Sequence, residues 1–133
     1  MRQIVTLVVL AHLAVNVLHG RAHAQLAVGL SAWQNVYVIG VILVAPLLAM
    51  VLIWTKQMRF GLVLLILSMS GALVFGVFFH YINISPDHVS HLPPGDARGL
   101  FRTTALLLGV LELLGVVIGV LALRSPVVRR QRT

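Results

Sequence analysis

Four long apolar runs, separated by three short polar breaks, set the pattern of this chain. They cover about residues 4–20, 33–54, 60–83 and 97–123. Each is of the order of the ~20 mostly apolar residues that a helix needs to cross a bilayer. The runs are continuous, not alternating, and an open sheet would leave its edge unsatisfied in lipid. The pattern predicts an all-α integral membrane four-helix bundle in a single domain over residues 1–133. Its helices are expected at about 4–23, 33–54, 60–83 and 97–123, with a polar loop over 84–96 and a basic tail over 124–133.

Local signals refine these limits. Ser31 and Gln34 have the spacing of a capping box at the start of the second helix. Pro46 lies inside that helix, lacks a backbone donor and should bend the turn before it. Pro86, Pro93, Pro94 and Gly95 break the chain after the third helix. Asp96 is placed to cap the fourth, and Ser125-Pro126 ends it.

Composition strengthens the membrane reading. Hydrophobic residues make up 59% of the chain and charged ones 10%, whereas soluble domains carry about 25% charged residues. Such a chain could not cover its own surface with polar groups. There is no cysteine, which excludes disulfides, thiolate ligands and thiol catalysis. Arg2, the first apolar run and Ala22-His23-Ala24 share the outline of a signal peptide and its cleavage site. His12, Asn16 and His19 interrupt that run, so the segment is expected to stay as the first helix.

The net charge of +7 belongs to helix ends, with no soluble basic face for nucleic acid. Arg2, Lys56, Arg59, Arg124, Arg129, Arg130 and Arg132 fall on one side of the predicted topology. Arg21, Arg98 and Arg102 fall on the other. By the positive-inside rule both termini are expected in the cytoplasm. A bacterial inner membrane is the expected location, with the histidine-rich loops on its outer, periplasmic side.

Titratable residues inside membrane spans are expensive, which directs attention to the histidines. At about 100° per residue, Asn16, His19 and His23 fall within about 40° of His12, on one stripe of the first helix. His19 and His23 are spaced so that two imidazoles on one face could share a metal ion. The topology brings His80 to the same outer end, and the 84–96 loop adds Asp87, His88 and His91. The expected metal site is drawn from His19, His23, His80, His88, His91 and Asp87. Imidazole and carboxylate donors suit zinc, copper(II), iron or nickel without choosing among them. A b-type haem, held by His19 or His12 with His80, is the second cofactor reading, and a chain with no cofactor is the third.

Glu112 lies near the middle of the fourth helix, on a face shared with Ala105, Gly109, Gly115 and Gly119. Small residues allow close helix approach, so this face is expected to turn inward. His12 lies at comparable depth, which makes a His12–Glu112 contact the natural pairing, with Asn16 beside it. Trp33, Tyr37 and Trp54 are expected to anchor the second helix at the interfaces. Arg98 and Arg102 are expected to meet lipid headgroups or an anion.

The spacings His19-x-x-x-His23 and His88-x-x-His91 superficially resemble the histidine motifs of membrane desaturases and hydroxylases. Those enzymes use a larger histidine set on the cytoplasmic side. The six histidines here are expected mostly on the opposite side, so that family is not assigned. The functional expectation is a small membrane protein with an outward-facing histidine metal or haem site, used in metal binding, delivery or redox. Two rivals belong to other classes. One is an accessory subunit of a larger membrane complex, or a homo-oligomer, in which polar groups only knit helices together. The other is a small proton-coupled transporter that uses Glu112 and His12.

Overall fold

The structure, a computed structural model, describes residues 1–125. The predicted arginines of the tail, Arg129, Arg130 and Arg132, lie outside the described residues. Four helices are each long and apolar enough to cross a membrane: α1 (Arg2–Gln25), α2 (Ala32–Ile53), α3 (Met58–Ile82) and α4 (Arg98–Arg124). All-α architecture with four spanning-length helices therefore holds. Helix ends differ from the sequence expectation by one or two residues, which is the ordinary blur of frayed termini.

Two local signals behave as read, and one does not. Ser31 caps α2 through a reciprocal box: its side chain accepts from Gln34 N–H, and Gln34 Oε1 accepts from Ser31 N–H at 2.8 Å. The stretch Val38–Val44, in the turns before Pro46, is a wide π-helical segment. Pro46 offers no N–H to the carbonyl one turn back, so the preceding backbone relaxes to a wider turn. Asp96, however, does not cap α4. The N-cap is Ala97 in a helical conformation, with no side-chain cap bond.

α4 packs against both α1 and α3, and α2 packs mainly against α3. Glycines permit the close approaches. A Cβ on Gly61 would meet Ala49 O at 2.8 Å, and one on Gly119 would meet Ile66 Cγ1 at 2.7 Å. The half of the bundle nearer Arg2, Lys56 and Arg124 is dry and tightly filled by Val5, Val9, Ile53, Leu62, Leu65 and Met69. α1 meets α2 chiefly along Ala45–Ile53. Beyond that contact the two helices part, and the opening lies in the polar half of the bundle.

At the far end a second cluster closes the structure. Ala22, Leu26, Val28, Leu92, Ala97, Phe101 and Ala105 are buried together. α1 ends in a left-handed cap: Ala27 has φ 52°, Ala27 N–H donates to Ala24 O at 3.2 Å, and Val28 N–H donates to His23 O at 3.0 Å. Glycine is the usual residue at such a position, because a Cβ there crowds the backbone. The turn aims the Val28 carbonyl back at α1.

Candidate metal centre

Three histidines from two helices meet at this end. α1 brings His19 and His23, one turn apart, and the last turn of α3 brings His80. That last turn, Phe78–Ile82, is also π-helical, with Asn83 N–H bonded to Phe78 O at 2.7 Å. His19 and His80 are buried, while His23 is half-buried. One ligand nitrogen from each of the three lies within 4.8 Å of the others, a grouping that could hold a metal ion.

The closest approaches are all between Nε2 atoms. His19 Nε2 stands 3.2 Å from His80 Nε2 and 3.2 Å from His23 Nε2. Two nitrogens bound tetrahedrally to one ion at about 2.0–2.1 Å stand about 3.3 Å apart. These two spacings are compatible with a shared cation and also with an N–H···N hydrogen bond.

The other ring nitrogens decide which tautomer each histidine adopts. His23 Nδ1 lies 3.1 Å from the Val28 carbonyl, and His80 Nδ1 lies 3.2 Å from the Asp87 carbonyl. A carbonyl only accepts, so both Nδ1 atoms carry the proton. His19 Nδ1 lies 2.8 Å from Thr104 Oγ1. The Thr104 hydroxyl also reaches Leu100 O at 2.7 Å and Phe101 O at 3.1 Å; with its proton on either carbonyl, its oxygen accepts from His19 Nδ1. In that tautomer all three Nε2 atoms carry lone pairs, with His19 Nε2 in close contact with the other two. A partner on the far nitrogen that fixes ring direction and tautomer is the usual companion of a metal-ligating histidine.

Asp87 adds the negative charge. Its side chain is buried, and neither carboxylate oxygen has a well-aligned hydrogen-bond donor. Oδ1 nevertheless lies 3.3 Å from both His23 Nε2 and His80 Nδ1. A buried carboxylate without donors costs several kcal/mol unless a cation accompanies it. Among the described residues, the position beside the three Nε2 atoms is where such a cation would be held.

The remaining expected residues divide. His88 and His91 do not join this convergence. They form their own pair at 3.2 Å between Nδ1 atoms, with His88 Nδ1 also accepting from Ser90 N–H at 3.1 Å and His88 Nε2 donating to Tyr81 O at 3.2 Å. Arg98 and Arg102 donate to the carbonyls of Leu92 at 2.6 Å and Val89 at 2.8 Å. Both therefore tie down the 84–96 loop that carries Asp87, a role the sequence reading did not foresee. Trp54 donates to Thr6 Oγ1 at 3.0 Å, and Tyr37 stacks on Phe75 at 5.0 Å.

Midway along the bundle, His12 Nε2 is 3.3 Å from Glu112 Oε1, both side chains being buried. Asn16 Nδ2 donates to the His12 carbonyl at 2.9 Å and lies 3.2 Å from His12 Nε2. The pair read for axial haem ligation, His19 and His80, stands 3.2 Å apart at Nε2, closer than the roughly 4 Å between two axial nitrogens across an iron, and His12 lies against Glu112.

Two participants escaped sequence reasoning. Thr104 had a readable signal, since it is a hydroxyl residue next to Ala105 on the inward face of an otherwise apolar helix. The Val28 carbonyl had none, because it depends on the backbone turn at Ala27. No known protein family, curated protein or solved structure matches this chain.

Proposed function

We propose that this is a membrane-embedded transition-metal protein whose ion is bound by the Nε2 atoms of His19, His23 and His80, with Asp87 as fourth ligand or adjacent counter-charge. The observation that carries the reading is the convergence of three imidazoles whose far nitrogens all have acceptors. His19 Nε2 stands 3.2 Å from the Nε2 atoms of both His80 and His23, while the Nδ1 atoms face Thr104 Oγ1, the Val28 carbonyl and the Asp87 carbonyl, a pattern that leaves lone pairs on the inward nitrogens. Lone pairs facing one another in a buried site repel, and a cation at their centre turns that repulsion into three bonds. Three neutral imidazoles and one carboxylate suit zinc, copper(II) or iron(II).

Under the positive-inside rule, the end bearing Arg2, Lys56, Arg59 and Arg124 faces the cytoplasm, and the metal centre then lies near the outer face. With Asp87 as counter-charge, three protein nitrogens leave one exchangeable position, which favours chemistry or ligand exchange at the ion over a closed structural site.

Elemental analysis of protein purified from metal-replete cells tests this. About one ion per chain is expected, and His19→Ala should remove it. Metal-free protein from every growth condition, or an unchanged metal content in His19→Ala, would overturn the reading.

A further inference from the structure

The opening between α1 and α2 is a cavity of about 350 Å³. His19, His23, His80 and Asp87 line one part of it, and Asn16 and Glu112 line another. The wall between is small or apolar, including Ala72, Gly76 and Leu108. Binding an ion at the triad does not by itself require such a space.

Gly76 defines the distance across it. A Cβ there would lie 3.9 Å from Glu112 Oε2 and 3.9 Å from His80 Cδ2, the carbon bonded to the metal-facing nitrogen. The carboxylate oxygen and the ligand edge of His80 therefore face a common gap only one small group wide. Glu112 is held for this position. It is 3% exposed, and His12 lies against Oε1 at 3.3 Å, which leaves Oε2 turned to the gap as an acceptor. Among the described residues no hydrogen bond is made to Oε2, and Glu112 lines the cavity, so this oxygen can take up an incoming N–H or O–H.

Resting on the metal reading above, we propose that the cavity binds a small protic ligand at two points. One heteroatom coordinates the metal, and a second donates a hydrogen bond to Glu112 Oε2. An N–H azole has this chemistry, with a lone pair on one nitrogen, a proton on the other and a carbon edge for the apolar wall. Access is from the side, where α1 and α2 diverge.

The test uses full-length protein loaded with cobalt(II), whose visible spectrum reports ligand exchange. Imidazole, 4-methylimidazole and 1-methylimidazole are titrated in turn. The first two keep the N–H; the third matches the second in size but has lost it. Imidazole and 4-methylimidazole should bind about tenfold to a hundredfold tighter than 1-methylimidazole, the range of a hydrogen bond to a charged acceptor. Glu112→Gln should collapse that preference without loss of cobalt, because His12 holds the amide oxygen and turns the amide N–H₂ toward the gap. Gly76→Ala, whose Cβ would sit in the gap at ordinary contact distance, 3.9 Å, from both Glu112 Oε2 and His80 Cδ2, should weaken all three azoles at unchanged cobalt content. Full cobalt uptake with equal binding of the three azoles, or with none, would overturn this inference and leave the metal centre standing. Failure to bind cobalt would overturn both.

Discussion

Two groups of histidines in this protein have nitrogens 3.2 Å apart, yet they differ in kind. In the His88–His91 pair on the loop, the short contact is an ordinary hydrogen bond. His88 spends its proton on Tyr81 O and accepts at Nδ1, and His91 is open to solvent. In the His19–His23–His80 group the far nitrogen of each ring faces Thr104 Oγ1, the Val28 carbonyl or the Asp87 carbonyl, so on the proposed reading the inward contact has no proton to share. Distance alone does not distinguish a ligand set from a hydrogen-bonded pair. The far nitrogen of each ring does, together with burial and an unmatched carboxylate.

The sharpest way to break this comparison is to take the ion away. A cation bound at a hundred times its dissociation constant stabilises the folded state by about 2.7 kcal/mol. Chelation should therefore lower the thermal midpoint of the wild type in mild detergent and leave that of His19→Ala where it was. Thr104→Val comes next, because it keeps every ligand and removes only the acceptor for His19 Nδ1. Losses of about 10- to 100-fold in metal affinity are typical when such a partner is removed. Competition with a chromophoric chelator should show this, and an unchanged affinity would mean that the tautomer of His19 is not fixed by Thr104.

Ala27→Gly probes the turn that presents the Val28 carbonyl to His23. Relieving the left-handed alanine should raise stability by about 1 kcal/mol in denaturant or thermal titration, with metal content unchanged. The smallest effect belongs to the comparison group. His88→Ala with His91→Ala should leave metal stoichiometry and affinity as in the wild type. A loss of metal there would erase the distinction between the two groups.

Much of this was legible in the residues, and the reasons are physical. Continuous apolar runs report spanning helices because lipid imposes one length and one backbone solution. The stripe of His12, Asn16, His19 and His23 followed from α1 being regular, and all four line the interior side. Glu112 was found through its glycines, which show which face of α4 packs. The structure parted from the sequence where backbone geometry departs from the regular helix. The pairing of His80 with His19 rests on a wide turn, and the entry of Asp87 rests on a loop held by Arg98 and Arg102. Spacing rules rank His88 and His91 beside His23, because they cannot see that the loop turns them toward solvent. Gly76 looked like one more small residue in a spanning helix. Only the positions of Glu112 and His80 around it show a gap.

The last turn of α3 has one further consequence. A π-helical turn is an α-helical turn carrying one additional residue, so Phe78–Ile82 is equivalent to a single inserted codon in an otherwise standard spanning helix. Deleting Phe79 would leave a helix as apolar and nearly as long, equally able to sit in the bilayer, with its final imidazole re-aimed. The candidate metal centre could thus arise or vanish by one insertion or deletion, without exchange of any ligand, and its ancestry would be written in the length of this helix before it appeared in its composition.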